Sequence, residues 1–559
     1  MKKCIILFLC FWFTIGCYCQ EYNKVNNMLN LNGEAKILVK IDDKDIDKLS
    51  RFTSIDSKIN NEYLVYVNHK EFHNFLTLGF DYRLFESTEN EKALQVATSV
   101  EQMQSWNYYP SYQIYLDLMH SFAEEFPEIC SLDTIGFSEN NRLLLALKIH
   151  NGDDSLNPKF FYASTIHGDE PLGCVMLLRL ADYILNNFQT DSLVESIISN
   201  VQIYISPLLN PDGMYAGGNN KINNSTRYNA NYIDLNRNFP NPLLGSNPDG
   251  EEHQIETLQL MQYSQEENFD LSVNIHTGAE VCNYPWDSWR SFQRLHPDQN
   301  WFINNCQQFV NQARSVAGNN YFTDVCNSGI ILGADWYPVY GSYQDWLNWY
   351  THTRDLTLEI STEKNPSSNL LPSYWDYLKL PLLNYIKNTS KGIEGIIKDN
   401  TNNQVINSAK IEILGLDDET SFVYSNTNGY FFRPLLAGNY EIKIEAEGYN
   451  DTIINITIEN DSTLFKTINL SPTSTSIESV NGDFEQDFLV YPNPCFDNLY
   501  VKLNEPANYT ILDVEGRSLL SGNLEKGITT LDVSKLKQRI NFLILDFKKL
   551  KQRIIFIKQ

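Results

Sequence analysis

The chain has 559 residues, enough for three or four domains at about 150 residues each. Hydrophobic residues make up 42% and charged residues 20%, which excludes wholesale disorder. The charge sum of 43 basic against 69 acidic residues is −26, a field that disfavours nucleic acid and anionic membrane as partners. After residue 20 no apolar run approaches the ~20 residues that a membrane span needs, so no transmembrane segment is expected in the mature chain.

Lys2 and Lys3 precede an apolar stretch from Cys4 to Ile15, followed by Cys17-Tyr18-Cys19 and then Gln20-Glu21. This is the layout of a secretory signal peptide over residues 1–19, and it predicts a secreted or cell-surface protein. Gly16-Cys17 offers a lipoprotein site as the alternative, with Thr14 where Leu is usual. Cys130, Cys174, Cys282, Cys306, Cys326 and Cys495 lie beyond the signal. Export permits disulfides, but there is no CxxC pair and spacing does not give connectivity. Cys174 sits in an apolar helical run and is expected to be a buried thiol.

Residues 20–100 read as a small α/β region. Lys36–Ile41 alternates like a strand, Asp43–Leu49 suggests a short helix, Tyr63–Val67 a strand and Lys70–Leu76 a helix. A pro-segment, a docking domain and a plain N-terminal elaboration all fit. Residues 101–391 form the large block. Strand-like Leu144–Ile149, Phe160–Ile166 and Val201–Ile205 alternate with helical Leu172–Asn186, predicting an α/β sheet with helices on both faces. Residues 392–471 change texture. Gly392–Lys398, Ala409–Leu414 and Tyr440–Ala446 read as short strands, with Asn428-Gly429 and Ala437-Gly438 as turns, predicting an all-β sandwich. Residues 472–487 read as a Ser/Thr/Pro linker and 488–559 as a small C-terminal β domain. The hexapeptide Lys535–Ile540 recurs as Lys549–Ile554, expected as one solvated face repeated in two strands.

The chain has no GxSxG, HExxH or GxxxxGK[ST] motif, which argues against a serine hydrolase, a zincin and a P-loop enzyme. His167 ends a strand-like run, Glu170 follows three residues later and Pro171 opens a helix. Open α/β sheets place their sites at such carboxyl ends of strands. His276 likewise ends the alternating run Leu271–Ile275. Two histidines and one glutamate make a set that zinc uses catalytically, with a fourth position left for water or substrate. Leu356, Leu358 and Ile360 face one way on a strand, and Thr357 and Glu359 the other. Taken singly, each of these residues fits an ordinary surface or core position.

Five motifs occur in order: Ile166–Glu170, Leu209–Gly213, Asp234–Pro240, His276–Asp287 and Leu356–Glu359. Together, over about residues 104–390, they resemble the zinc metallocarboxypeptidase family, in the branch that includes carboxypeptidases N, E and D. The resemblance implies one Zn2+ per chain held by His167, Glu170 and His276, a ligand set the family is known for. It also implies Asp234 as the carboxylate that orients a ligand imidazole. Glu359 is then the general base and Arg227 the stabiliser of the oxyanion. Asn236 and Arg237 would hold the terminal carboxylate of a peptide, for which the planar Arg fork is suited. Asp287 matches the acid at the base of the S1′ pocket that selects C-terminal Lys or Arg. The family's mobile tyrosine is expected in Gln344–Tyr350, where Trp349 follows Asn348 and Tyr350 comes next. Either Tyr350 substitutes as the substrate-covering residue or the hydroxyl is missing. Thr277 stands where glycine is frequent.

Residues 392–471 resemble the transthyretin-like sandwich of the same branch, through Thr427–Phe432 and Ala437–Ile442. Val490–Pro494, Ile511–Gly516 and Leu531–Leu536 resemble a type IX secretion sorting domain, which implies export from a Gram-negative bacterium and the secretion machinery as a partner. The expected function is removal of single C-terminal residues, Lys or Arg, from extracellular peptides. The alternatives are a zinc amidase or deacylase acting on cell-wall peptides or N-acyl amino acids, and an inert binding protein on the same scaffold.

Overall fold

The computed structural model describes residues 20–86, 94–152, 156–473, 488–492, 495–513, 517–537, 539–547 and 551–558. The signal stretch and most of the linker lie outside the described residues. Two compact units divide the chain, the first ending at Thr473 and the second beginning at Ser474.

The first unit begins with helix α1 over residues 20–32. Strands β1 (Ala35–Lys40), β2 (Ser54–Ile59), β3 (Glu62–Val67) and β4 (Asp81–Leu84) form an antiparallel sheet in the order β2-β3-β1-β4. Helix α2 (His69–Leu76) starts in a capping box, where Asn68 and Glu71 satisfy each other's backbone N–H groups. Val25, Leu29, Ile37, Val39, Val65, Phe72 and Phe75 pack as its core. The edge strand β2 breaks register between Ile55 and Ser57, so Asp56 is bulged out of the ladder. Sequence patterning did not foresee β2, because Ser-Ile-Asp-Ser-Lys-Ile has only two apolar side chains and no period-two face.

The large block is an eight-stranded mixed sheet. Its strands are β5 (Cys130–Phe137), β6 (Leu143–Ile149), β7 (Lys159–Ser164), β8 (Gln202–Ser206), β9 (Leu271–His276), β10 (Ala279–Tyr284), β11 (Ile330–Leu332) and β12 (Arg354–Ser361), in the order β11-β10-β12-β9-β7-β8-β6-β5. The central four, β12, β9, β7 and β8, are mutually parallel. Their residues are almost wholly buried, as two covered faces require. One face packs on helices that include Tyr112–Glu125, Leu172–Asn187, Gln299–Ala317 and Leu371–Lys387. The other packs on Ile255–Glu267 and the Tyr343–Leu347 segment. Cys174 is fully buried as expected, and all six cysteines beyond the signal carry free thiols.

Residues 392–470 fold as a three-stranded sheet facing a four-stranded one, closed over Ile393, Ile397, Ile411, Ile442, Ile444 and Ile468. Its Arg433 reaches into the preceding α/β block, where Asp298 Oδ1 accepts from it at 2.8 Å and Asp298 Oδ2 accepts from Arg354 at 2.9 Å. Arg433 also pairs with Asp417 of its own domain. Burial works against the charge of Asp298, yet the two arginines hold its pKa down to about 2.

The second unit, described by itself, has a three-stranded and a four-stranded antiparallel sheet. Its last strands are Arg539–Asp546 and Lys551–Lys558. Of the repeated hexapeptide, residues 535–537 precede the strand that begins at Arg539 and residues 551–554 lie in the last strand, while Gln538, Lys549 and Leu550 lie outside the described residues. Among the described residues no helix is long and apolar enough to cross a membrane.

Candidate active site

The parallel register places the site. β9 and β12 run side by side with His276 opposite Glu359, and β7 lies on the other side of β9. The turn after β7 carries His167 and Glu170, so three strand ends converge at the carboxyl edge of the sheet. His167, Glu170 and His276 are all buried, and their ligand atoms lie within 4.8 Å of one another. Glu170 Oε1 is 2.9 Å from His167 Nδ1, Glu170 Oε2 is 3.0 Å from His276 Nδ1, and the two Nδ1 atoms are 3.1 Å apart.

These three atoms fit a metal. Two imidazole nitrogens and a carboxylate aimed at one point bring lone pairs together, an arrangement a divalent cation resolves. Zinc bonds of about 2.0–2.2 Å set neighbouring ligand atoms roughly 3.3 Å apart, close to these spacings. Burial pushes His276 down to about 4, which leaves it in the neutral, ligating form at neutral pH. Burial alone would raise Glu170, yet Lys364 and the two histidines hold it well below the carboxylate range. Thr277, small enough to follow the histidine closely, donates its N–H to Glu170 Oε2 at 3.1 Å.

Asp234 lies behind His167, its Oδ1 3.2 Å from Nε2. The same carboxylate accepts from Arg227 Nε at 2.8 Å and from the Asn236 N–H at 3.0 Å. One buried acid thus lies against the His167 imidazole and holds an arginine and the turn that presents Asn236 and Arg237. Arg227, Asn236, Arg237, Thr357 and Glu359 line the cleft together with His167, Glu170 and His276. Arg237 pairs with no carboxylate among the described residues; its Nη1 donates to the Asn236 carbonyl at 2.9 Å. Glu359 is buried with Oε2 unpaired, and burial together with Glu170 raises its pKa well above the usual range.

Asp287 also lines the cleft and is 3% exposed. Its Oδ1 accepts from Gln344 Nε2 at 3.0 Å and from Asn283 Nδ2 at 3.4 Å. Asp345 clamps the backbone beneath it, with Oδ1 accepting the Asp287 N–H at 2.8 Å and Oδ2 the Ser288 N–H at 2.9 Å. Burial lifts Asp287 to about 6, and burial together with Asp287 lifts Asp345 to about 8.

Tyr350 is not brought to the cleft. It is 44% exposed on the Leu347–Thr351 turn. Trp349 turns away to pack on Trp286 and Trp289 under the Arg294 guanidinium. The phenol in the cleft is Tyr337, half-buried with Arg237, Glu359 and Arg227 in its surroundings. Sequence reasoning passed over Tyr337 because nothing local marks it among 32 tyrosines. It also passed over Lys364, whose Nζ lies 2.8 Å from Glu170 Oε1 and 3.4 Å from Asp169. A lysine five residues beyond Glu359 was a visible signal only to a reader who knew which way the strand end turns.

The N-terminal sheet lies against this cleft. Ser54 Oγ donates to Asp234 Oδ2 at 2.6 Å, and Tyr66 donates to Asp169 Oδ2 at 2.7 Å. Tyr337 donates to the Ile55 carbonyl at 3.1 Å, and the bulged Asp56 lies 3.5 Å from Lys364 Nζ. Glu34 accepts the Arg227 N–H at 3.2 Å. The cavity left is about 40 Å³, room for about three waters at ~10–15 Å³ each.

Comparison with known proteins agrees with this geometry. A family model described as zinc carboxypeptidase matches residues 115–381, a carboxypeptidase regulatory-like domain matches 392–471 and a secretion system C-terminal sorting domain matches 489–558. Carboxypeptidase M of Mus musculus is 30% identical over 364 residues, covering 63% of this chain and 81% of that protein. Carboxypeptidase D of the same organism is 31% identical over 371 residues, 64% of this chain but 26% of that protein, so the match spans about a quarter of its length. The crystal structure of thrombin activatable fibrinolysis inhibitor shares the fold with a TM-score of 0.50 at 14% identity, covering 64% of this chain and 99% of that one. The chain belongs to the zinc carboxypeptidase family.

Proposed function

We propose that this protein is a secreted metallocarboxypeptidase that removes a single C-terminal Lys or Arg from peptides. The observation that carries the reading is the meeting, in one cleft, of the His167–Glu170–His276 cluster, Glu359, the unpaired Arg237 and the buried Asp287. Zinc held by His167, Glu170 and His276 would supply a Lewis acid that polarises the scissile carbonyl and makes water a stronger acid. Glu359, desolvated and unpaired at Oε2, takes the proton from the attacking water and returns it to the departing amine. Arg227, fixed by Asp234, faces the charge developing on the carbonyl oxygen. Arg237 and Asn236 hold the substrate's terminal carboxylate. Asp287 offers a buried negative charge to a basic side chain, and this supports Lys/Arg preference.

The N-terminal region is, in this reading, a pro-segment. A cleft of about 40 Å³ does not admit a peptide terminus, and Ser54, Ile55 and Asp56 occupy its mouth. The sorting domain at the C-terminus supports export through a bacterial secretion system, with the first nineteen residues as signal. The test is hydrolysis of blocked dipeptides ending in Arg or Phe, by the full chain and by the chain after limited proteolysis, with and without a zinc chelator. Chelator-sensitive release of Arg, far above Phe and greater after proteolysis, is expected. Release of neither from zinc-loaded, processed protein overturns the carboxypeptidase reading, and preference for Phe overturns the role of Asp287.

A further inference from the structure

Two acids of the N-terminal region grip the segment that carries Arg227. Glu34, just before β1, accepts from the Thr226 hydroxyl and from the Arg227 N–H at 3.2 Å. Glu71, in α2, accepts from the Tyr228 hydroxyl at 2.5 Å and from the Asn68 N–H at 2.9 Å. Three consecutive residues of the large α/β block thus rest between two carboxylates. Elsewhere the two parts are not closely packed, since cavities of about 520 Å³ and 370 Å³ are lined by residues of both. Neither acid is in an ion pair among the described residues. Arg227 commits its Nε to Asp234 at 2.8 Å, Lys70 pairs with Glu251, and Lys36 lies over the Tyr66 ring. Like charge faces them instead, Asp169 towards Glu34 and Asp234 towards Glu71. Arg51, Arg237, Asp249 and Glu251 line the larger cavity beside Glu71, and His69 and His73 of its own helix are exposed.

Burial at the seam works against charge on both carboxyls and the facing aspartates add to it. Glu34 is raised, and Glu71 is raised to about 7, against the pull of their hydrogen bonds. Undocked, Glu71 would face water near its ordinary 4.5. The docked state therefore holds protons that the undocked state gives up, so docking weakens as pH rises. For Glu71 the loss begins above about pH 4 and continues to about pH 7, a factor of about 300 in the docking equilibrium. We propose that Glu34 and Glu71 form a proton latch: the N-terminal region seats on the 226–228 segment while they are neutral and lets go as they ionise, so a neutral or alkaline medium uncovers the cleft without cleavage. This rests on the reading of the N-terminal region as a pro-segment, and adds what controls its release.

The test uses the full, uncleaved chain, as wild type and as Glu34→Gln combined with Glu71→Gln. It compares kcat/KM for one blocked dipeptide ending in Arg from pH 5 to pH 8. The amides keep the acceptor oxygens and cannot ionise, and the pH limbs that Glu359 and Asp287 give catalysis cancel in the ratio of the two chains. Both chains should be equally latent at pH 5, and the wild type should exceed the variant by about tenfold or more at pH 8. Release of the N-terminal region by limited proteolysis is the second readout, and its wild-type rate relative to the variant should rise over the same interval. Ratios that stay flat in both readouts overturn the proposal. A variant that is uncovered at every pH shows carboxylates that only hold the seat, and overturns it too. Should the double variant not fold, the wild type decides alone: its uncleaved-to-cleaved ratio of kcat/KM must rise with pH, and a constant low ratio overturns the latch. An uncleaved chain as active as the cleaved one at every pH strikes instead at the pro-segment, so the two failures are told apart.

Discussion

Asp287→Asn isolates the charge that this reading places at the end of the substrate pocket. The substitution keeps the shape and the acceptor oxygen that Gln344 and Asn283 engage, and removes one negative charge from a residue 3% exposed. A hydrogen bond to a charged group contributes about 1.5–3 kcal/mol, and losing one partner of a desolvated charge pair costs about 2–5 kcal/mol. The expected loss for a substrate ending in Arg is therefore about 2–4 kcal/mol, or about 30- to 1,000-fold in kcat/KM, with little change for Phe. The pH profile adds a second readout. Asp287 and Asp345 are adjacent buried acids raised to about 6 and about 8, and they titrate as a pair, with Arg237 the nearby positive charge. A raised carboxyl is neutral below its pKa, so the Arg-to-Phe ratio of kcat/KM should fall as pH drops through about 6, over and above the acid limb that Glu359, as the shared base, gives both substrates. Paired dipeptide kinetics between pH 5 and pH 8 measure both effects. An unchanged Arg-to-Phe ratio in the variant, or a wild-type ratio that stays constant through pH 6, refutes the reasoning.

Glu359→Gln should retain one zinc per chain by elemental analysis while losing at least about a thousandfold in kcat, since the amide cannot take a proton. His276→Gln should lose the metal itself, read by the same analysis, because one of three ligands is gone. Ser54→Ala combined with Asp56→Ala removes two contacts that hold β2 over the cleft, and should raise the activity of uncleaved chain severalfold; an unchanged rate would discard the pro-segment reading. Asp298→Asn should lower stability by about 3 kcal/mol at pH 7, because it leaves two buried arginines without their shared anion. The folded pKa of Asp298, about 2, lies below its unfolded value of about 3.9. Its contribution is thus complete above pH ~4 and lost as pH falls towards 2, so the penalty in a denaturant titration should shrink over that interval.

Much of the fold was legible because apolar period and strand length are local properties. The strands ending near His167 and His276 and the helix from Leu172 appear within a residue or two of where they were read. The N-terminal helix over residues 20–32 was not read although Tyr22, Val25, Met28 and Leu29 fall at helical spacing and pack on the sheet, while strand β2 shows no periodic face and draws its order from the sheet it joins. The tyrosine expected at position 350 shows the limit of motif matching. Position along the chain did not say which way the 347–351 turn points, and the structure sends Trp349 under Arg294 while Tyr337 enters the cleft.

The sequence by itself determined the chemistry on offer. It held a His–x–x–Glu turn and a second histidine at strand ends, a carboxylate on the polar side of a strand, and arginines within a short reach of an aspartate. Only the tertiary structure decided what those groups meet. It set Lys364 against Glu170 and laid Ser54 and Asp56 across the cleft from another part of the chain. The reason is physical. Residue type and local period are written along the chain, but strand register and packing bring together groups hundreds of positions apart. The pairing or isolation of a buried polar atom exists only once that register is formed.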